Sequence, residues 1–245
     1  MLKTKNCRAS SPSRVGYGER SKVTVLSALL VRRALGVALL LCAASPFVVA
    51  QTASKAPTAS RTAPAASSTA TAVFAGGCFW CVESDFDKVP GVLSTTSGYI
   101  GGRTQNPTYE QVSNTDTGHA ESVRIEFDPG KVSYRELVDH LWYTIDPTTK
   151  DGQFCDIGHS YRSAIFPQNA EQLKAAQDSK AEIEKKKPFN APIVTEIVPD
   201  QKFWPAEDYH QNYYQKNPVR YNFYRYRCGR DARLKELWGD QAAKH

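Results

Sequence analysis

A segment without large apolar side chains divides the chain into two unlike parts. Residues 51–72 consist almost entirely of Ala, Thr, Ser and Pro. Such a composition buries too little apolar surface to offset the backbone entropy that is lost on folding. We therefore interpret residues 51–72 as a linker and expect residues 73–245 to form the folded domain. Its length of about 170 residues is usual for one domain.

The part before the linker has the three regions of a secretory signal peptide. Arg32 and Arg33 precede an uncharged segment, residues 34–50, whose small residues end at Ala50. Its apolar run is shorter than the roughly 20 residues that a membrane-spanning helix needs. Residues 1–50 are therefore predicted to be a signal peptide that is cleaved after Ala50. This implies export, to the periplasm, and a retained membrane anchor is the alternative.

Charge is distributed unevenly along the chain. The total of +6 would by itself suggest a polyanionic partner. Residues 1–72, however, contain ten basic residues and one acidic residue, which leaves residues 73–245 with 21 basic and 24 acidic residues and a net charge of −3. The aromatic and basic stretch of residues 221–227 is short and is interpreted as a packing segment. We therefore expect no nucleic-acid partner.

The predicted domain mixes helix and strand patterns. Val123, Ile125 and Phe127 alternate with charged residues, which is typical of a strand. Ser133 and Glu136 have the spacing of a capping box that begins a helix. Further strands are predicted at residues 71–75, 92–99, 161–166 and 193–198, and further helices after residues 77 and 169. Because these elements do not form a regular βαβ repeat, they favour an α+β fold.

Four cysteines lie in the predicted domain: Cys78, Cys81, Cys155 and Cys228. Two structural disulfides are one interpretation for an exported protein. A domain of this size can fold on its own core, however. Cys78 also follows Gly76-Gly77, where a predicted strand turns into a helix. The positive end of a helix dipole favours a thiolate, so Cys78 is predicted to be a nucleophile of lowered pKa.

Three interpretations of the Cys78-Phe79-Trp80-Cys81 pair compete. A thioredoxin-like dithiol would have turn-favouring residues between its cysteines. A four-cysteine zinc site would need a second closely spaced pair, whereas Cys155 and Cys228 stand singly. A redox nucleophile could use the aromatic side chains of Phe79 and Trp80 to bind a methyl or thioether group. The histidines show no ligand spacing, so no metal is expected.

Six short motifs between Val73 and Pro218 combine Cys, Gly, Glu, Asp and Tyr in a fixed order. They are Gly77-Cys78-Phe79-Trp80, Gly98-Tyr99-Ile100-Gly101-Gly102, Asn106-Pro107-Thr108-Tyr109, Gly118-His119-Ala120-Glu121, Asp156-Ile157-Gly158-His159-Ser160-Tyr161-Arg162-Ser163 and Ala206-Glu207-Asp208-Tyr209-His210-Gln211. In identity and order these motifs resemble those of the A-type peptide-methionine sulfoxide reductases, which are specific for the S epimer. The chain is similar to a Gly-Cys-Phe-Trp-Cys variant of that family.

The resemblance implies a fold and a reaction. The fold is an α+β two-layer sandwich with a mixed, largely antiparallel central sheet and surrounding helices. The reaction is the thiol-dependent reduction of protein-bound or free methionine sulfoxide, which repairs oxidised proteins. It proceeds through a cysteine sulfenic acid and then an intramolecular disulfide. A thioredoxin-like external dithiol restores the enzyme, no cofactor is needed, and a monomer is expected.

The resemblance also implies a role for each site residue. Cys78 attacks the sulfoxide sulfur, and Glu121 protonates the sulfoxide oxygen. Tyr99 and Tyr161 hydrogen-bond that oxygen, and Asp156 orients the site. Phe79 and Trp80 receive the methyl group of the substrate. A sulfoxide oxygen leaves only when protonated, so Glu121 would need the raised pKa that burial provides.

The chain departs from the resemblance at its resolving thiol, the second thiol that condenses with the sulfenic acid. Cys81 stands where the family usually has Gly, and the segment around Cys228 is not the family's glycine-rich tail. Cys81 has the advantage of proximity. Cys228 has the location of the family's resolving thiols, although a docked helix would limit its reach. These two are nearly equal candidates, and Cys155 is the third.

Overall fold

The computed structural model describes residues 69–199 and 201–243. The predicted signal peptide and nearly all of the predicted linker lie outside these residues. The first strand begins at Ala70, three residues before the predicted start of the domain. Within the described residues, no helix is both long enough and apolar enough to cross a membrane.

The described residues form eight strands and seven α-helices, joined in part by two 3₁₀ turns. The strands are β1 (Ala70–Gly76), β2 (Val92–Ile100), β3 (Ala120–Phe127), β4 (Gly152–Gln153), β5 (Asp156–Ile157), β6 (Ser163–Ile165), β7 (Glu196–Ile197) and β8 (Trp204–Pro205). The helices are α1 (Phe79–Phe86), α2 (Tyr109–Asn114), α3 (Tyr134–Trp142), α4 (Ala170–Lys186), α5 (Tyr213–Lys216), α6 (Pro218–Arg227) and α7 (Arg230–Trp238). The 3₁₀ turns are His159–Tyr161 and Gly239–Gln241.

Six of the strands form one mixed sheet in the order β7-β6-β1-β3-β2-β8. Every neighbouring pair is antiparallel except β6 and β7, which are parallel. The helices surround this sheet, and β4 and β5 form a separate hairpin. The predicted α+β class with a mixed, largely antiparallel sheet is confirmed.

Alternating side chains of β1 explain why this strand lies at the centre. Ala72 and Phe74 belong to the larger hydrophobic core, whereas Val73 and Ala75 pack in a smaller cluster formed by the other alternating set. A strand that is apolar on both faces is stable only where both faces are covered. The predicted capping box is present as well, since the Ser133 hydroxyl accepts from the Glu136 N–H at the start of α3.

Two predicted strands are shorter than expected. Residues 161–166 form β6 only from Ser163, because Tyr161 ends a 3₁₀ turn and Arg162 follows that turn as its C-cap. Residues 193–198 contribute only β7, at the edge of the sheet, where pairing is limited to two register partners on β6. The apolar patterns of these two segments mark residues that are buried, and some of these buried residues lie outside the paired part of the strand.

A buried ionic cluster attaches the C-terminal helices to α1. The Asp85 carboxylate of α1 lies 2.7 Å from an Arg225 nitrogen of α6 and 3.6 Å from an Arg230 nitrogen of α7. Arg230 also donates to the carbonyls of Gly76, at 3.2 Å, and Thr144, at 2.7 Å. Asp85 and both arginines are at most 5% exposed. The segment after α5 is therefore a docked part of the domain.

We expect Asp85→Ala to destabilise the protein strongly, because it leaves two buried guanidinium groups without this carboxylate. Breaking a buried pair by removing one partner costs about 3–5 kcal/mol of unfolding free energy. Denaturant unfolding would measure this loss. The control is Arg103→Ala, which removes the exposed ion pair of Arg103 with Asp116 and should change stability little. Equal effects of the two substitutions would contradict a stabilising role for the cluster.

Candidate active site

Cys78 lies at the turn between β1 and α1. Gly77 precedes it with φ +81°, and a Cβ there would lie 2.5 Å from Gln153 Cβ, so this position requires glycine. Cys78 is predicted to be the first helical residue but is the N-cap of α1, one position before the first helical residue, Phe79. Cys78 and Cys81 are both free, and they are 6% and 1% exposed. The two thiols hydrogen-bond each other.

The structure places Glu121 beside this turn. Its carboxylate accepts a hydrogen bond from the Phe79 N–H at 3.0 Å, and the residue is 2% exposed. Burial, reinforced by the nearby Asp156 and Cys81, raises the pKa of Glu121 to about 8. The side chain is therefore protonated at neutral pH and can donate a proton.

The expectation of a lowered Cys78 pKa is wrong. Burial raises the pKa of the Cys78 thiol well above its ordinary value, and the neighbouring Cys81 and Glu121 raise it further. The pKa of Cys81 is lowered, chiefly by its hydrogen bond with Cys78 and then by the positive charges of Arg230 and Arg225. The helix N-terminus is thus outweighed at Cys78, and the first thiolate of the pair forms on Cys81.

The tyrosines predicted for the site occupy different positions in it. Tyr161 faces Glu121 and Cys78, and burial raises its pKa, so it remains a hydrogen-bond donor. Tyr109, which hydrogen-bonds Tyr161, also faces these two groups. The hydroxyl of Tyr99 instead donates to Glu207 Oε2 at 2.9 Å. Tyr161 and Tyr109 therefore lie near Glu121 and Cys78, whereas the hydroxyl of Tyr99 is hydrogen-bonded to Glu207.

Aromatic side chains pack around the residues that follow Cys78. Phe79 is 1% exposed and contacts the rings of Tyr109 and His210. Trp80 is only partly buried, lies 3.8 Å from the Tyr213 ring in a stacked arrangement and donates from Nε1 to His210 Nδ1 at 3.1 Å. Burial lowers the pKa of His210 to about 4, so the acceptor is a neutral ring. Of the two residues predicted to receive the methyl group, Trp80 has exposed surface that a ligand can contact, whereas Phe79 is buried and packs against Trp80.

The remaining candidate thiols are joined to each other. Cys155 and Cys228 form a disulfide with a Cα–Cα distance of 4.9 Å. Asp156 lies next to this disulfide, and its carboxylate accepts a hydrogen bond from the Tyr224 hydroxyl. The disulfide removes two of the four thiolates that a four-cysteine zinc site would need. Cys81 is the candidate resolving residue that is a free thiol beside Cys78.

Sequence reasoning did not assign a role to two tyrosines of this site. Tyr109 belongs to a recognised motif, and its position there was a usable signal. Tyr224 lies in the stretch interpreted as aromatic packing, and nothing in its local pattern distinguishes it from Tyr226. Its hydroxyl reaches Asp156 and Cys78 only because α6 docks against α1.

Comparisons with known proteins agree with this arrangement. Residues 70–242 match the family described as peptide methionine sulfoxide reductase. "Peptide methionine sulfoxide reductase MsrA 2" of Rhizobium meliloti (strain 1021) is 56% identical over 172 residues, which cover 70% of this chain and 84% of the relative. "Peptide methionine sulfoxide reductase MsrA/MsrB" of Vibrio cholerae serotype O1 is 52% identical over 174 residues, or 71% of this chain. The chain spans only 46% of the length of this V. cholerae relative.

Solved structures share the fold. Methionine sulfoxide reductase A of Corynebacterium diphtheriae superimposes with a TM-score of 0.58 at 34% identity, covering 62% of this chain and 76% of its own. Reduced Mxr1 from Saccharomyces cerevisiae gives a TM-score of 0.58 at 32% identity, covering 62% of this chain and 87% of its own.

We expect the protonated state of Glu121 to make stability depend on pH. Its pKa is 4.5 ordinarily and about 8 in the folded protein, so the folded state binds this proton more tightly. The resulting stabilisation is complete below pH 4.5 and is lost as the pH rises to about 8. Glu121→Gln should reduce this decline, as measured by denaturant unfolding across pH. Glu110→Gln, at an exposed carboxyl, is the control, and an unchanged decline in Glu121→Gln would contradict the assignment.

Proposed function

Because the chain belongs to the peptide methionine sulfoxide reductase family, we propose that its site reduces the S epimer of methionine sulfoxide to methionine. The observation that carries this proposal is the free Cys78 thiol next to the buried Glu121, whose pKa is raised to about 8. A nucleophilic sulfur and a carboxylic acid that is neutral at pH 7 are the two groups that the reduction requires.

The first step transfers oxygen from the substrate to Cys78. The sulfur of Cys78 attacks the sulfoxide sulfur as Glu121 protonates the oxygen. The S–O bond of the substrate breaks, methionine leaves, and Cys78 carries the hydroxyl as a sulfenic acid. The proton that Cys78 gives up replaces the one donated by Glu121, so the step is balanced. Tyr161 and Tyr109, with raised pKa values, stay protonated and can hydrogen-bond the oxygen.

Substrate binding uses the aromatic surface beside the thiol. Trp80 is partly buried and held by its stacking on Tyr213 and its hydrogen bond to His210. A rigid indole face suits the methyl group of a methionine side chain. Asp156 orients Tyr224 by accepting from its hydroxyl. Tyr99 donates to Glu207, and Glu207 also accepts from the N–H of Tyr109 at 2.8 Å, so this pair positions Tyr109.

Cys81 resolves the sulfenic acid in this proposal. It is buried beside Cys78, and its lowered pKa favours the thiolate form. Attack of the Cys81 sulfur on the Cys78 sulfur forms the Cys78–Cys81 disulfide and breaks the S–O bond, and the hydroxyl takes up the proton that Cys81 gave up and leaves as water. Cys228 and Cys155 are bonded to each other and have no thiol to offer. A thioredoxin-like dithiol then reduces the new disulfide, and the cycle uses no metal or organic cofactor.

We place the reaction outside the cytoplasm, in the periplasm. The signal-peptide pattern of residues 1–50 supports this location. The Cys155–Cys228 disulfide supports it independently, because such bonds persist in oxidising compartments. The substrates there would be oxidised methionines in exported proteins as well as the free amino acid.

The deciding experiment compares wild type with Cys78→Ser on the two separated epimers of dabsylated methionine sulfoxide, with dithiothreitol as reductant. We expect wild type to reduce only the S epimer and Cys78→Ser to lose activity below detection. Activity that survives in Cys78→Ser would refute the mechanism. Reduction of insulin disulfides without any sulfoxide would instead indicate a general dithiol oxidoreductase.

Cys81→Ser should separate the two chemical steps. We expect it to form one equivalent of methionine per enzyme in the absence of reductant and to retain a sulfenic acid on Cys78, because the resolving thiol is missing. Dimedone labelling followed by peptide mapping would locate that sulfenic acid. In wild type the same mapping should find a Cys78–Cys81 disulfide. A disulfide from Cys78 to Cys228 or Cys155 would contradict the role of Cys81.

A further inference from the structure

A third tyrosine meets the reactive sulfur from the C-terminal helices. Tyr224 lies in α6, where its hydroxyl donates to the Asp156 carboxylate and lies close enough to the Cys78 side chain to lower its pKa. Its ring stands edge-on to Trp80, with the centroids 5.9 Å apart and the planes at 81°. The hydroxyl is thus held between a carboxylate and the nucleophile, beside the aromatic surface to which we assign the substrate.

We propose that Tyr224 is a further catalytic residue, whose hydroxyl hydrogen-bonds the Cys78 sulfur during attack and is held in place by the Cys155–Cys228 disulfide. This inference rests on the proposed function of Cys78. It assigns a structural role to the disulfide, which fixes the segment that carries Tyr224 to the segment that carries Asp156.

The disulfide lies next to both partners of the hydrogen bond that orients Tyr224. Cys228 follows α6 directly, and its N–H donates to the Tyr224 carbonyl at 2.8 Å, so the two residues are one helical turn apart. Cys155 directly precedes Asp156 at the start of β5. The bond joins positions 73 residues apart in sequence. Tyr224 and Asp156 therefore cannot separate far while the disulfide is intact.

The hydroxyl has one proton and two acceptors. In the structure it donates to Asp156. When Cys78 loses its proton, its sulfur becomes a charged acceptor, and hydrogen bonds to charged groups are the stronger ones. Burial and neighbouring negative groups raise the pKa of Tyr224, so it keeps its proton throughout the working range.

Tyr224 also counteracts the raised pKa of Cys78, which disfavours the thiolate. Burial, Cys81 and Glu121 all raise the pKa of Cys78, whereas the hydrogen bond from Tyr224 lowers it. The titratable groups that face Cys78 are Cys81 from α1, Glu121 from β3, Tyr109 from α2, Tyr161 from the first 3₁₀ turn and Tyr224 from α6. Among these groups, Tyr224 is the one whose hydrogen bond to the sulfur lowers the pKa of Cys78, because it stabilises the thiolate once that forms.

The test uses the full chain and compares Tyr224→Phe with Tyr226→Phe. Tyr226 is on the same helix and is 81% exposed, so its substitution removes a phenol hydroxyl outside the site. Every protein also carries Cys81→Ser, which confines the reaction to one turnover at Cys78. The readouts are the single-turnover rate of methionine formation and the pH dependence of iodoacetamide alkylation of Cys78, followed on the Cys78 peptide. Mapping of the same digests verifies that Cys155 and Cys228 are still bonded.

We expect Tyr224→Phe to slow methionine formation by about 10- to 100-fold, the effect of losing one hydrogen bond to a charged group. Its alkylation midpoint should also move to higher pH. Tyr226→Phe should match the parent in both readouts. If Tyr224→Phe stays within twofold of Tyr226→Phe, with the alkylation midpoint unmoved, Tyr224 is not catalytic. Failure of the parent to form methionine would instead refute the proposed function.

The second arm tests the disulfide with Cys155→Ser/Cys228→Ser, alone and combined with Tyr224→Phe. If the disulfide places Tyr224, the double substitution should reproduce most of the Tyr224→Phe defect, and the combination should add little to it. Thermal unfolding of each protein separates this effect from loss of folding. Full activity of the double substitution, or defects that multiply in the combination, would show that the disulfide does not position Tyr224.

Discussion

The buried pairing of Asp85 with Arg225 and Arg230 is the interaction on which the site depends. Asp85 lies one helical turn after Cys81, and Arg230 donates to the carbonyl of Gly76, just before the turn that holds Cys78. Since a buried charge without its partner is expensive, these contacts hold α6 and α7 against α1. The C-terminal helices therefore supply fixed walls to the site, and they bring Tyr224 to Cys78.

The same cluster divides the chemistry between the two thiols. The hydrogen bond with Cys78 and then the two guanidinium groups lower the pKa of Cys81, while burial and then the adjacent Cys81 and Glu121 raise the pKa of Cys78. A buried acid needs a low-polarity environment to keep its proton at neutral pH, and that environment also disfavours a thiolate on Cys78. The raised pKa of Glu121 and the raised pKa of Cys78 are thus two results of one burial. A hydrogen bond donated to the Cys78 sulfur lowers the pKa of Cys78 and so opposes the effect of burial.

Four cysteines are arranged as two pairs with different surroundings. Cys78 and Cys81 are buried and free, whereas Cys155 is exposed and bonded to Cys228. The Cys155–Cys228 bond leaves Cys81 as the free thiol among the three candidate resolving residues, because a cysteine that is already in a disulfide has no thiol with which to attack a sulfenic acid. The spacing in sequence also favours Cys81, because a disulfide between residues three positions apart closes a very short loop at little entropic cost.

Local patterns were sufficient for the fold class, the central strands, the Ser133 capping box and the strand-to-helix turn at Cys78, because each depends on residues close in sequence. The collinear motifs also predict roles for Glu121, Tyr161 and Asp156, although not the distances between these residues. The chain could not reveal that Cys155 bonds Cys228, that Tyr99 turns to Glu207 or that Tyr224 reaches Cys78. The Cys78 pKa was misjudged for the same reason. The burial of a site and the charges around it are contributed by segments that are distant in sequence. These segments come together only when the helices dock.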